Sequence, residues 1–131
     1  MGWNMDAAIA YLDAHGGRRT WDEVKHHMCA QWTTDAIEHG GVHITRHEYA
    51  KDFGPSLEAA GWQNVGQDTH FQRGDIAVIQ PPHGQKAGHM CMFDGHDWIS
   101  DFHQTRGGGI DGMYPGPSYR VQKPAYAIYR R

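Results

Sequence analysis

The stretch from Gly88 to Phe102, GHMCMFDGHDWISDF, constrains the fold of this chain more than any other. It is rich in apolar and aromatic residues, which favours strands, and Asp94-Gly95 in its middle is a strong signal for a tight turn. The pattern predicts a β-hairpin with His89 near the start of its first strand and Asp101 near the end of its second. An antiparallel hairpin brings those ends together. A carboxylate beside a histidine suits a general base whose tautomer must be fixed.

Helical patterns precede the hairpin, because apolar residues recur there at helical spacing and Gly-Gly pairs end the runs. A capping box, Thr followed three residues later by Glu, occurs at Thr20 and again at Thr45. The predicted helical segments are residues 4–15, a short first turn near Thr20, a main helix from about Met28 to His39 after a break at His26-His27, a helix from Thr45 to about Phe53, and a turn from Pro55 to Ala60.

Short apolar runs bounded by turn residues predict strands at 62–65, 76–79 and 125–129, besides the two of the hairpin. Gly107 to Gly109 is predicted to be a flexible break, and Pro115-Gly116-Pro117 a stiff turn. Helices followed by an antiparallel meander indicate an α+β fold in which N-terminal helices pack on an antiparallel sheet. The length and the absence of a linker predict one domain over residues 1–131.

Composition excludes several classes of protein. The net charge of −3 gives no basic stripe for a nucleic acid, and no apolar run is long enough to span a membrane. The N-terminus lacks a basic region followed by an apolar run, so we expect no secretory signal and synthesis in the cytoplasm. Two cysteines, Cys29 and Cys91, do not make a disulfide framework and are expected to be reduced thiols in a monomer.

Cys29 supplies the nucleophile that the hairpin lacks. A cysteine on an early helix, a histidine on a later strand and an acid on the next strand permit thiol attack on a carbonyl. A helix N-terminus and a neighbouring histidine both favour the thiolate, so the pattern predicts a lowered pKa for Cys29. Cys91 lies on the histidine's own strand and is interpreted as a packing residue.

Three motifs resemble the NlpC-like and CHAP-type peptidoglycan hydrolases, which share the papain-like plan. Cys29-Ala30-Gln31-Trp32 looks like their nucleophile helix, Gly74-Asp75-Ile76 like their Gly-Asp-hydrophobic strand, and Gly88-His89-Met90 like their histidine strand. His89 follows Cys29 by 60 positions (89 − 29), a compatible spacing. The resemblance is strongest to type VI secretion amidase effectors and phage-type lysis enzymes.

The resemblance implies Cys29 as nucleophile, His89 as base and Asp101 as the orienting third residue, with no cofactor. His103, two residues on, is the alternative third residue. The implied substrate is an amide bond in the peptidoglycan stem peptide or crosslink, reached after export, injection or lysis. A cognate immunity or inhibitor protein is a partner that the resemblance allows.

Two other readings stay open. Eleven histidines invite a zinc peptidase, with His43 and His47 four apart as candidate ligands, although the chain has no His-Glu-x-x-His motif. A non-catalytic wall-binding module would instead use Trp62, Trp98 and Tyr114 to stack on sugars. Around the hairpin, Lys86 and Arg106 lie in loops and suit a ligand that bears carboxylates.

Overall fold

The computed structural model describes residues 2–15, 29–102, 104 and 106–131, and it confirms the α+β arrangement. The helices are α1 (Met5–His15), α2 (Cys29–His39), α3 (Gly54–Ala59), α4 (Ile110–Met113) and α5 (Pro117–Gln122), with a 3-10 helix at Ala50–Asp52. The strands are β1 (Gln63–Asn64), β2 (Ile76–Ile79), β3 (His89–Phe93), β4 (Trp98–Ile99) and β5 (Tyr126–Arg130).

The five strands form one antiparallel sheet in the order β1-β5-β2-β3-β4. Every residue of β2 and β3 is buried, as expected for short apolar strands that are covered on both faces. One face, with Val78 and Met90, packs against α1, α2 and α3. The other face, with Ile79 and Cys91, packs against side chains of α4 and α5. The N-terminal helices therefore cover one face, and the C-terminal helices the other.

The bounds of α1 and the end of α2 are largely as the sequence predicts. The Asn4 side-chain oxygen accepts the Ala7 N–H at 3.0 Å, which satisfies a donor in the first turn of α1. α2 ends at His39, and Gly41 follows with φ +94°, a backbone conformation that glycine adopts without strain. The turn near Thr20 and the break at His26-His27 lie outside the described residues.

The hairpin is formed by β3 and β4, which pair through Met92 with Ile99 and Phe93 with Trp98. The predicted tight turn at Asp94-Gly95 forms, and it extends to Asp97. The Asp94 carboxylate accepts the N–H groups of His96 and Asp97, each at 2.7 Å, and closes a turn of four residues.

The predicted helix from Thr45 to Phe53 is wrong. Residues 42–47 have no helical structure, and only the 3-10 helix Ala50–Asp52 forms. The Lys51 N–H donates to the Ala87 oxygen at 3.0 Å, in the loop before β3. Because this tertiary bond takes the donor, it is not available for an α-helical bond to His47.

Two short helices flank the predicted stiff turn near the C-terminus: α4 lies between the predicted break and the turn, and α5 begins at Pro117, the last residue of the turn. Pro117 occupies the first turn of α5, where its missing N–H costs nothing, so this proline starts a helix. None of the helices in the described ranges is both long enough and apolar enough to cross a membrane.

Candidate active site

Cys29 is the first residue of α2 and lies against the start of β3. The backbone N–H groups of Ala30 and Met90 donate to its sulfur. One turn along α2, the Thr33 hydroxyl donates to the Met90 oxygen at 3.4 Å. α2 thus contacts both the backbone N–H and the backbone oxygen of Met90, the residue next to His89. These contacts hold the Cys29 thiol near the start of β3.

The environment of Cys29 favours the thiol over the thiolate. Its side chain is 4% exposed. Burial, and next the negative charge of Asp101, raise the pKa of Cys29 to about 12, while the backbone N–H groups lower it by less. The lowered pKa predicted from the helix position is therefore wrong, because loss of water outweighs the N–H groups at the start of α2. The thiol is protonated at neutral pH.

His89 is buried, and its described hydrogen-bond partner is Gln104. Nε2 of the imidazole lies 2.8 Å from Oε1 of Gln104. The Gln104 side chain is itself 2% exposed, and its Nε2 donates to the oxygens of Gly112 at 2.7 Å and Met113 at 2.8 Å. The amide therefore links the imidazole to the end of α4.

These bonds determine the tautomer of His89. The oxygens of Gly112 and Met113 only accept hydrogen bonds, so the amide nitrogen of Gln104 must face them. Its oxygen then faces His89 and needs a donor, which places the proton on Nε2. In the neutral ring Nδ1 is the basic nitrogen.

Asp101, the predicted third residue, is buried beyond the end of β4. It is 3% exposed, and Oδ1 accepts the Ser100 hydroxyl at 3.1 Å. Its charge acts on the Cys29 thiol. His103, the alternative, lies outside the described residues. Sequence reasoning missed Gln104, because a polar residue in a Gly-rich loop carries no signal of a buried tertiary bond.

Tyr119 of α5 lies near His89, on the face of the sheet that α4 and α5 cover. Its ring is 6.2 Å from the His89 ring in a T-shaped arrangement. Burial, followed by the Cys29 and Cys91 thiols, raises the pKa of Tyr119. The hydroxyl donates to none of the described residues, whereas the hydroxyl of neighbouring Tyr114 donates to the Pro124 oxygen at 2.7 Å.

Cys91 and Asp75 make contacts that stabilise the fold. Cys91 is fully buried as a free thiol, 3.8 Å from the Met113 oxygen, in agreement with its interpretation as a packing residue. The Asp75 carboxylate pairs with Arg130 through two bonds of 2.8 Å and also accepts the Gln72 N–H. The Gly74-Asp75-Ile76 motif therefore ties the start of β2 to the end of β5.

The histidines proposed as zinc ligands have other partners. His43 Nδ1 lies 3.0 Å from a Glu38 oxygen, and His47 Nε2 lies 2.6 Å from the Ser56 hydroxyl. They do not share a helix face, since the predicted helix is absent. Among the residues that the structure describes, no group of three or more His, Cys, Asp or Glu side chains is placed to hold a metal ion.

Two crystal structures of the type VI effector–immunity complex Tae3–Tai3 from Ralstonia pickettii are similar to this chain. The native form is 41% identical, with 98% of each chain covered and a TM-score of 0.83. The selenomethionine form is 41% identical, with 94% of this chain and 98% of the other covered and a TM-score of 0.78. The chain belongs to the Tae3 family of type VI effectors. Its α+β fold is the Tae3 fold, and Cys29, His89 and Gln104 are its residues in that fold.

The family assignment rests on these structures alone. No protein-family model and no curated protein matches the sequence. The likeness extends over almost the whole of both chains, so it includes the helix of Cys29, the strand of His89 and the C-terminal segment of the Tae3 fold.

Proposed function

We propose that this effector is a cysteine amidase that hydrolyses an amide bond of peptidoglycan. One observation carries the proposal: Cys29 lies against Met90, the residue next to His89, and the His89 imidazole is held through Nε2 by the buried Gln104 amide. A buried thiol, a basic nitrogen and a group that fixes the ring are the components of nucleophilic attack on a carbonyl.

In the proposed reaction Cys29 is the nucleophile and His89 the general base. Because the Cys29 thiol is protonated at rest, its proton moves to Nδ1 of His89 as sulfur attacks the amide carbon. The imidazolium then gives that proton to the departing amine, and the acyl group remains on sulfur. Water, deprotonated by His89, hydrolyses the thioester and restores the thiol.

Gln104 is assigned the orienting role in this reaction. Its oxygen accepts Nε2–H of His89 and stabilises the imidazolium that forms when the thiol loses its proton. Asp101, assigned this role from the sequence, is the competing candidate, because it is buried close enough to influence Cys29.

Tyr119 is assigned as a donor to the substrate carbonyl. Its ring lies 6.2 Å from the His89 ring, the Cys29 thiol is close enough to raise its pKa, and its hydroxyl has no hydrogen-bond partner among the described residues. A donor aimed at the oxygen that gains charge during attack lowers the barrier. A neutral phenol suits this role, since it keeps its proton throughout the reaction.

The proposed substrate is the stem peptide or its crosslink. The leading bond joins D-glutamate to diaminopimelate, and the amide between sugar and peptide is the alternative. The similar structures are effector–immunity complexes, which supports delivery by type VI secretion to the wall of a neighbouring cell and neutralisation by a cognate immunity protein.

Incubation with purified Gram-negative sacculi tests the proposal. The wild-type protein should release new amino groups and leave the glycan strands intact, as seen by mass analysis of muropeptides. Cys29→Ala should fold and lose more than about a thousandfold in rate, since no other group forms the acyl-enzyme. Cys91→Ala is the matched control, because it removes the other buried thiol, and it should stay active.

Two results would count against the proposal. New reducing sugar ends without new amino groups would refute amide hydrolysis. Undiminished turnover by a folded Cys29→Ala protein would refute the cysteine mechanism, and sensitivity to a chelator would then favour a zinc peptidase. Tight binding to sacculi with no hydrolysis, unaffected by Cys29→Ala, would favour a wall-binding module.

A further inference from the structure

A cavity of about 380 Å³ opens beside the loop that leads into the histidine strand. Its lining residues are Tyr49 from the segment before the 3-10 helix and four residues of the loop, namely Gly84, Gln85, Lys86 and Ala87. Ala87 precedes His89 by two residues. Because an extended chain spans at most roughly 3.3 Å per residue, the near wall of the cavity is within about 7 Å of the histidine along the backbone.

The loop around this cavity is held in place. The Lys51 N–H donates to the Ala87 oxygen at 3.0 Å, and the His83 N–H donates to the Gln122 side chain at 2.7 Å. Gly88 has φ +71°, and a side chain there would collide with the Ile79 oxygen and crowd Lys51. The glycine of the Gly-His motif thus allows the loop to approach both β2 and the 3-10 helix.

Two lysines, one in the cavity wall and one over the aromatic ring of that wall, have no carboxylate partner in the described part of the chain. Lys86 lines the cavity, and the Lys51 ammonium lies 5.7 Å from the centre of the Tyr49 ring. By contrast, several arginines are paired with acids: Arg46 with Asp35 and Glu38, Arg73 with Asp6, and Arg130 with Asp75. A lysine in the wall of a concave site, with a second ammonium over an aromatic ring of that wall, suits a ligand with a carboxylate on an apolar stem.

We propose that this cavity is a carboxylate subsite, in which Lys51 and Lys86 bind a free carboxylate of the substrate one or two residues from the amide that is cleaved. The proposal rests on the proposed peptidase activity, because it places the cavity along the path of a bound peptide. The ring of Tyr49 packs against the methylene groups that carry the carboxylate. The subsite therefore selects acidic stem peptides over their amidated counterparts.

Two matched peptides test the subsite. They share one sequence of the stem-peptide type and differ only in whether the residue next to the cleaved amide carries a carboxylate or a carboxamide. Binding is measured by calorimetry to the Cys29→Ala protein, which does not depend on turnover. We expect the carboxylate peptide to bind about 5- to 30-fold more tightly, with a preference that shrinks as salt is added.

Lys51→Gln and Lys86→Gln, each introduced into Cys29→Ala, should reduce this preference, and the double variant should bring it close to one. Arg131→Gln is the charge-matched control. Arg131 lies over Trp62, next to β5 and β1 and away from β3 in the sheet order, so the preference should survive its loss.

Equal binding of the two peptides, or an unchanged preference in the double variant, would overturn the subsite. Hydrolysis by the protein with its native Cys29 is scored separately. A preference in binding without hydrolysis would contradict the peptidase activity and support the subsite, whereas hydrolysis of both peptides at the same kcat/KM would contradict the subsite alone.

Discussion

Gln104→Ala should slow the reaction more than it destabilises the fold. The wild-type side chain makes three hydrogen bonds of 2.7 to 2.8 Å and is 2% exposed. At about 1 kcal/mol for each bond, its loss lowers the free energy of unfolding by about 3 kcal/mol. A domain of 131 residues should still fold, with a melting temperature lower by roughly 10 °C.

The expected loss of activity in Gln104→Ala follows from the hydrogen bond that the His89 imidazole loses. Without the amide oxygen, Nε2 of His89 no longer has the acceptor that keeps its proton, so the ring populates both tautomers and rotates more freely. We expect kcat to fall by about 100-fold while KM changes little, because the substrate does not touch Gln104. Gln63→Ala, an exposed glutamine on β1, is the control and should leave kcat unchanged.

Kinetics on soluble muropeptides, thermal melting and nitrogen NMR of the histidine ring measure these effects together. NMR should show the Nε2–H form of His89 in the wild type and a mixture in Gln104→Ala. The assignment would be refuted if Gln104→Ala kept kcat within about threefold of wild type. A loss of about 100-fold in Asp101→Asn would then give the orienting role to Asp101.

Three further variants test neighbouring features. Tyr119→Phe should lower kcat by about 100-fold without loss of stability. Tyr114→Phe loses a hydrogen bond to a backbone oxygen, so it should lower the free energy of unfolding by about 1 kcal/mol and leave kcat unchanged. Equal kcat values in the two variants would contradict the donor role of Tyr119. Iodoacetamide should label Cys29 slowly at pH 6 to 8 and faster as the pH rises towards about 12. Asp101→Asn should shift this rise to lower pH, because the wild-type Asp101 carboxylate raises the pKa of Cys29. Fast labelling of the wild type at pH 6 would contradict the raised pKa. Asp75→Asn should lower the free energy of unfolding, measured in urea, by about 3 kcal/mol, because the Arg130 guanidinium loses its buried partner. A change below about 1 kcal/mol would show that this ion pair contributes little to stability.

The strands near the site could be predicted because their sequences are apolar throughout and bounded by turn residues. The prediction for residues 76–79 matches β2, and the hairpin prediction gave the pairing of β3 with β4. The capping box at Thr45 failed because its signal is local, whereas the bond from Lys51 to Ala87 joins segments that are far apart in sequence.

Parts of the site depend on contacts that sequence patterns do not encode. The position of Cys29 on a helix was predicted correctly, yet the direction of its pKa shift depends on how deeply the thiol is buried and on the nearby Asp101. Gln104 contacts His89 only because α4 offers two backbone oxygens to its amide. Pro117 at the first turn of α5 is the sequence signal that would have indicated the helix carrying Tyr119.

The position of β5 inside the sheet affects the order in which a newly made molecule can fold. β5 lies between β1 and β2, and its pairs with β2, such as Ile79 with Tyr126, join residues about fifty positions apart. While the ribosome is still adding residues after Gln104, the nascent chain already contains Cys29 and His89 but lacks the strand that joins β1 to the rest of the sheet. The sheet around Cys29 and His89 is therefore completed only after the residues of β5 have been added and have paired with β1 and β2.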